Sequence, residues 1–127
     1  MGFDVYLRDK NGNSVQVDTH NEGGTIKIEK SFFIDNTLCG GTSDAEVSIT
    51  FNYNKFYREA LHPKGLMYLD GKTGKQVIPL LKKAIRILGT EQHYDYWAST
   101  PGNAGHALST LLTWAEQHPQ AKFVVHG

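Results

Sequence analysis

The hydrophobic period changes once along this chain, at Asn54, and that change does most to restrict the fold. Before it, apolar residues recur every second position, the period of a half-buried strand. Phe3, Val5 and Leu7 alternate with Asp4, Tyr6 and Arg8. Turn chemistry follows at Asp9–Asn13, with Gly12 free to take positive φ, and Val15 and Val17 alternate back. Residues 3–17 therefore read as a hairpin. Ile26 and Ile28 suggest a short strand after Gly23-Gly24. In the clearest strand, Ala45, Val47, Ile49, Phe51 and Tyr53 share one face. Lys30–Asp44 has weak periodicity and reads as a loop or an extra hairpin.

After Asn54 the period is helical. A short helix fits Asn54–Leu61, with Asn54 as N-cap and Phe56, Tyr57, Ala60 and Leu61 as its buried stripe. His62-Pro63 ends it, because the residue before proline is pushed out of the helical region. The next helix runs to Leu88 and stops at Gly89. It buries Val77, Ile78, Leu81, Ala84, Ile85 and Leu88 and turns Lys82, Lys83 and Arg86 to solvent. The last opens at Thr100-Pro101, a cap followed by proline at the first helical position. Its buried residues are Ala104, Ala107, Leu108, Leu111, Leu112 and Ala115, and it ends near His118-Pro119. Phe123–Val125 returns as a final strand or a packed tail. The predicted class is α+β: an N-terminal antiparallel sheet of about four strands packed against two or three C-terminal helices. At 127 residues, a single domain over 1–127 is expected.

Thirteen basic and 13 acidic side chains balance, so no bulk field points to nucleic acid or a membrane, and neither partner is expected. Near-zero net charge favours association, which admits a homo-oligomer. Cys39 is the only cysteine, so an internal disulfide is excluded and an inert packed thiol is expected. Met1–Val5 lacks a basic segment followed by an apolar run, and no segment approaches the roughly 20 apolar residues of a membrane span. A cytoplasmic protein is expected. The six histidines never stand at i,i+3 or i,i+4, and no metal or cofactor is expected. There is no Gly-x-Ser-x-Gly, and Ser48, Ser99 and Ser109 sit in ordinary contexts.

Three segments can carry chemistry. In Asp70-Gly71-Lys72-Thr73-Gly74-Lys75, glycines ahead of a helix let backbone N–H groups converge on an anion, with Lys72 and Lys75 adding charge and Thr73 a hydroxyl. It is not a Walker A loop, which needs four residues between glycine and Gly-Lys-Ser/Thr. Its other reading is a tight connection requiring positive φ at Gly71 or Gly74. Pro79 means that the helix either kinks or starts nearer Ile78. Ser99–Asn103 repeats this chemistry: Thr100 caps, while the Gly102 N–H and the Asn103 amide can hold a phosphate or carbonyl. Between them, His93-Tyr94-Asp95-Tyr96-Trp97 offers aromatic faces for a base or a protein surface, with Trp97 expected in the core. His93 and Asp95 form an acid–base pair only in an extended segment.

The second half resembles a family of small phage and prophage proteins. The resemblance rests on Asn52-Tyr53, Phe56-Tyr57, Gly71-Lys72-Thr73-Gly74, Ile78-Pro79-Leu80, Asp95-Tyr96-Trp97 and Thr100-Pro101-Gly102-Asn103-Ala104, in that order, over about residues 45–115. The Gly-Gly-Thr turns at 23–25 and 40–42 also match, separated here by the extra stretch Ile26–Cys39. No activity accompanies the resemblance, so no catalytic residue follows from it. It implies a phage origin and a role in the contest with a host. The expected function is non-catalytic binding that sequesters a small phosphorylated ligand, such as a nucleotide-derived immune signal. The expected contacts are Arg58, Lys72, Thr73, Gly74, Lys75, Tyr94, Tyr96, Thr100, Gly102 and Asn103. The alternatives are an inhibitor or accessory factor binding a host protein, and a small hydrolase of nucleotides using His93 and Asp95.

Overall fold

The computed structural model describes residues 2–20, 26–27, 31–34, 37–40, 42–94 and 98–127. Among them the chain forms β1 (Gly2–Arg8), β2 (Gln16–His20), β3 (Ile26–Lys27), β4 (Ser31–Ile34), β5 (Thr37–Gly40), β6 (Thr42–Asp44) and β7 (Glu46–Thr50). Three helices follow, α1 (Asn54–Ala60), α2 (Gly74–Leu88) and α3 (Pro101–Gln117), and then β8 (Lys122–His126). The class is α+β, an antiparallel sheet with three helices.

The alternation in β1 places Phe3, Val5 and Leu7 in the core, and both neighbouring strands match it residue for residue. Phe3 and Val5 pair with Ile49 and Val47 of β7, while Val5 and Leu7 pair with Val125 and Phe123 of β8. Three full strands thus run β7-β1-β8, with the two-residue β3 beside β7. One edge strand therefore comes from residues 122–126, so the expected N-terminal sheet of about four strands is found only in part. Phe123–Val125 takes the strand alternative. The sheet side chains join Val77, Leu81 and Ala84 of α2 and Leu108, Leu111 and Trp114 of α3 in one apolar cluster.

The expected hairpin at 3–17 is only partly formed. Its turn is present, with Asp9 Oδ1 accepting from the N–H groups of Asn11 and Asn13 and with Gly12 at φ 81°. Beyond Val15 the strands part, because Ala45 inserts: Leu7 N–H donates to the Ala45 carbonyl and Ala45 N–H to that of Val15. β2 then pairs with β6 rather than with β1. Within Lys30–Asp44 the hairpin alternative is the one found, as β4 and β5 pair antiparallel. Cys39 lies in β5; its side chain is outside the described set.

The helices follow their local signals closely. α2 starts behind Thr73 and keeps Pro79 inside, and α3 starts behind Thr100 with Pro101 in its first turn. Asn54 is the exception. It does not cap α1; its Oδ1 accepts from Leu66 N–H at 3.0 Å, tying α1 to the turn of 3-10 helix at Gly65–Leu69. Tyr57 closes the assembly from the other side, its hydroxyl donating to the Ala104 carbonyl of α3 at 2.9 Å.

Candidate functional site

The Asp70–Lys75 turn is bound into the fold rather than open to a ligand. Gly74 N–H donates to the Ala121 carbonyl and Lys75 N–H to that of Pro119, both at 2.8 Å. Gln76 N–H goes to Thr73, and the Gln76 amide oxygen accepts from Thr73 N–H at 2.9 Å, a reciprocal capping box. Val77 N–H reaches the Thr73 carbonyl. The amides expected to converge on a phosphate are therefore occupied by protein oxygens. Gly74 is needed for another reason: a Cβ there would sit 2.9 Å from the carbonyl oxygens of both Ala115 and His118.

The same turn runs along the outer edge of β8. Phe123 exchanges two backbone bonds with it, donating to Lys72 and accepting from Gly71, and Val125 N–H donates to Asp70 Oδ1 at 3.0 Å. Gly71 takes φ 80° to make the turn. The Lys72 ammonium lies 4.1 Å from the centroid of the Tyr68 ring, which also stacks on His62. Thr73 and Gly74 are thus structural, Lys72 rests on an aromatic ring, and Lys75 is simply exposed.

The second glycine-containing helix start lies at the other end of the helical pair. Gly74 packs at the C-terminal end of α3, whereas Gly105 of α3 packs against Leu88 and Gly89 at the end of α2. The two starts are separated by about 22 Å, the length of α2 at 1.5 Å per residue, so they do not share a pocket. At the α3 start, Thr100 Oγ1 accepts from Asn103 N–H. Asn103 is fully buried; its Oδ1 accepts from His93 N–H at 2.9 Å and its Nδ2 donates to the Ala98 carbonyl at 3.0 Å. Its amide holds the loop before α3 in place. Gly102 lies so close to the Glu91 backbone that a side chain there would collide with it. The 390 Å³ cleft at this end is lined by Glu91 and His93 and, among the described residues, by no lysine or arginine, a poor match for phosphate. Tyr94 is 92% exposed, with its ring 4.2 Å from that of His93. Asp95, Tyr96 and Trp97 lie outside the described residues.

A larger cleft, of 720 Å³, opens where β7 runs into α1. Thr50 Oγ1 accepts from Asn52 N–H and starts a turn of 3-10 helix at Phe51–Tyr53, which breaks the strand alternation. Tyr53 stays buried, but Phe51 swings outward to 37% exposure, its ring edge-on to Phe3 at 4.7 Å. Lys55 and Arg58, one turn apart on α1, supply two cations to the cleft, and among the described residues no carboxylate lines it. Among the described residues neither cation has an ion-pair partner; the Lys55 ammonium lies 5.1 Å from the Phe56 ring centroid. Ser99 closes the rim, its hydroxyl donating to the Asn52 carbonyl at 3.0 Å. Of the expected contact residues, the cleft contains Arg58 alone. Phe51, Asn52, Lys55 and Ser99 were missed. The i,i+3 spacing of Lys55 and Arg58 is the signal that points to a shared cationic face.

Comparison of the chain with protein families, with curated proteins and with solved structures returns no match.

Proposed function

We propose that this chain is a non-catalytic binding protein that captures a small phosphorylated ligand in the Phe51–Arg58 cleft. The observation that carries the reading is the lining: two cations beside an exposed aromatic ring, with no ion-pair partner and no carboxylate among the described residues to oppose an anion. A guanidinium presents a fork that suits phosphate oxygens, and the ring supplies an apolar face for a base or a similar flat group. Capture rather than turnover is supported by the same lining, which among the described residues contains no histidine, cysteine or carboxylate. Its one hydroxyl, on Ser99, already donates to a backbone carbonyl. A phage protein that sequesters a nucleotide-derived immune signal is the setting implied by the sequence resemblance.

Thermal-shift screening against cyclic dinucleotides, ADP-ribose derivatives and mononucleotides, followed by isothermal titration, tests this. A ligand that stabilises the protein and is recovered unaltered is the expected result. Arg58→Ala should weaken its binding by about 10- to 100-fold, the cost of one charge-assisted bond. Stabilisation by none of these compounds would sink the reading, as would turnover of the bound compound.

A further inference from the structure

We infer that the solvent face of α2 is a docking surface for an acidic face of a protein partner. Although the whole chain is neutral, its charge is segregated: positions 55–86 hold eight of the 13 lysines and arginines but only Glu59 and Asp70 as acids. Asp70 is spent on the edge of β8. α2 itself contains no acid, and Lys75, Lys82, Lys83 and Arg86 are all exposed. At 100° per residue these four fall within a quarter-turn or so, opposite the buried stripe of Val77, Leu81 and Ala84. They form a ridge about 16 Å long. Among the described residues none of the four has an ion-pair partner.

This arrangement runs against helix stability. Lys75 places a cation in the first turn, at the positive end of the helix dipole. Lys82 and Arg86 are like charges at i,i+4, a spacing at which an acid would have been stabilising instead. A helix selected only to cover the core would be expected to mix signs on its outer face. The ridge fits a protein better than a nucleic acid. Ile87, beside Lys83 and Arg86, is 60% exposed and supplies an apolar anchor that phosphates cannot use. No aromatic residue lies on the ridge to stack on a base, and the amide oxygen of Gln76 is held in the capping box.

The probe is a fluorescein-labelled helical peptide with glutamates at one- and two-turn spacing on one face and a leucine on the flank. Anisotropy should show binding that weakens with salt, and by at least about tenfold in the triple variant Lys82→Glu, Lys83→Glu, Arg86→Glu. Ile87→Ser should weaken it by several-fold at unchanged salt dependence, and amide shifts on titration should map to α2. Circular dichroism checks that each variant keeps its helices, which solvent-facing changes should leave intact. The inference is overturned if a peptide of the same composition in scrambled order binds as well, or if the triple variant binds unchanged. It is likewise overturned if a duplex oligonucleotide binds more tightly than the peptide. These outcomes are independent of the Phe51–Arg58 cleft, whose ligand binding the α2 variants should leave untouched.

Discussion

Tyr57 is buried between α1 and α3, with its hydroxyl donating to the Ala104 carbonyl. Burial raises its pKa well above the ordinary value of 10.0, and the nearby Tyr53 adds to the effect. The folded protein therefore holds this proton more tightly than the unfolded chain does. The associated stability is complete below the unfolded value near pH 10 and falls as pH rises above it. Tyr57→Phe should cost about 1 kcal/mol in urea unfolding at pH 7. It should also flatten the alkaline limb of the stability profile above pH 10, a difference that denaturation midpoints taken across pH will show. Gly74 offers a second test. Alanine has the better helix propensity by about 1 kcal/mol. Even so, Gly74→Ala should destabilise by about 1–3 kcal/mol, because its methyl group meets two backbone carbonyls that cannot rotate away.

Helix starts and stops depend on residues within one turn of each other, and these were legible. Thr73 and Thr100 accept N–H bonds three residues on, and Gly89 ends α2 at φ 76°. Thr73→Ala removes the hydroxyl half of the capping box, while the backbone N–H at 73 can still donate to Gln76, and should lower stability by about 1 kcal/mol, measurable by thermal unfolding. Elsewhere a local signal was overruled by a partner distant in sequence. Asn54 looks like a cap but accepts from Leu66, and Val17 looks like the return of a hairpin whose place Ala45 takes. Phe51 fits the alternation of β7 until Thr50 starts a helical turn and reverses its direction. The candidate site suffered most from this. Periodicity tells which face of a strand or helix is buried, but not which neighbour occupies the backbone groups at its end. The glycine turn therefore looked available, while the cleft, which joins Phe3 and Ser99 to the 51–58 segment, left only the Lys55–Arg58 spacing as a local trace.

At the scale of the whole molecule, the turn at Asp70–Thr73 covers the sheet edge that β8 would otherwise expose. Open edges are templates for pairing with other chains. Asp70→Ala frees the Val125 N–H and should cost about 1–2 kcal/mol. It should also produce concentration-dependent association, visible by light scattering, that the parent chain does not show under the same conditions. The position of β8 has a further consequence, in time rather than in space. β1 is the central strand, yet one of its neighbours lies more than a hundred residues downstream. Pairings between such distant segments form late, because a long loop must close before any contact rewards it. On a ribosome, β1 and β7 can associate early while α2 still lacks the carbonyls of Pro119 and Ala121 that occupy its first amides. Only when residues 119–126 have emerged can the sheet edge, the helix start and the turn close together.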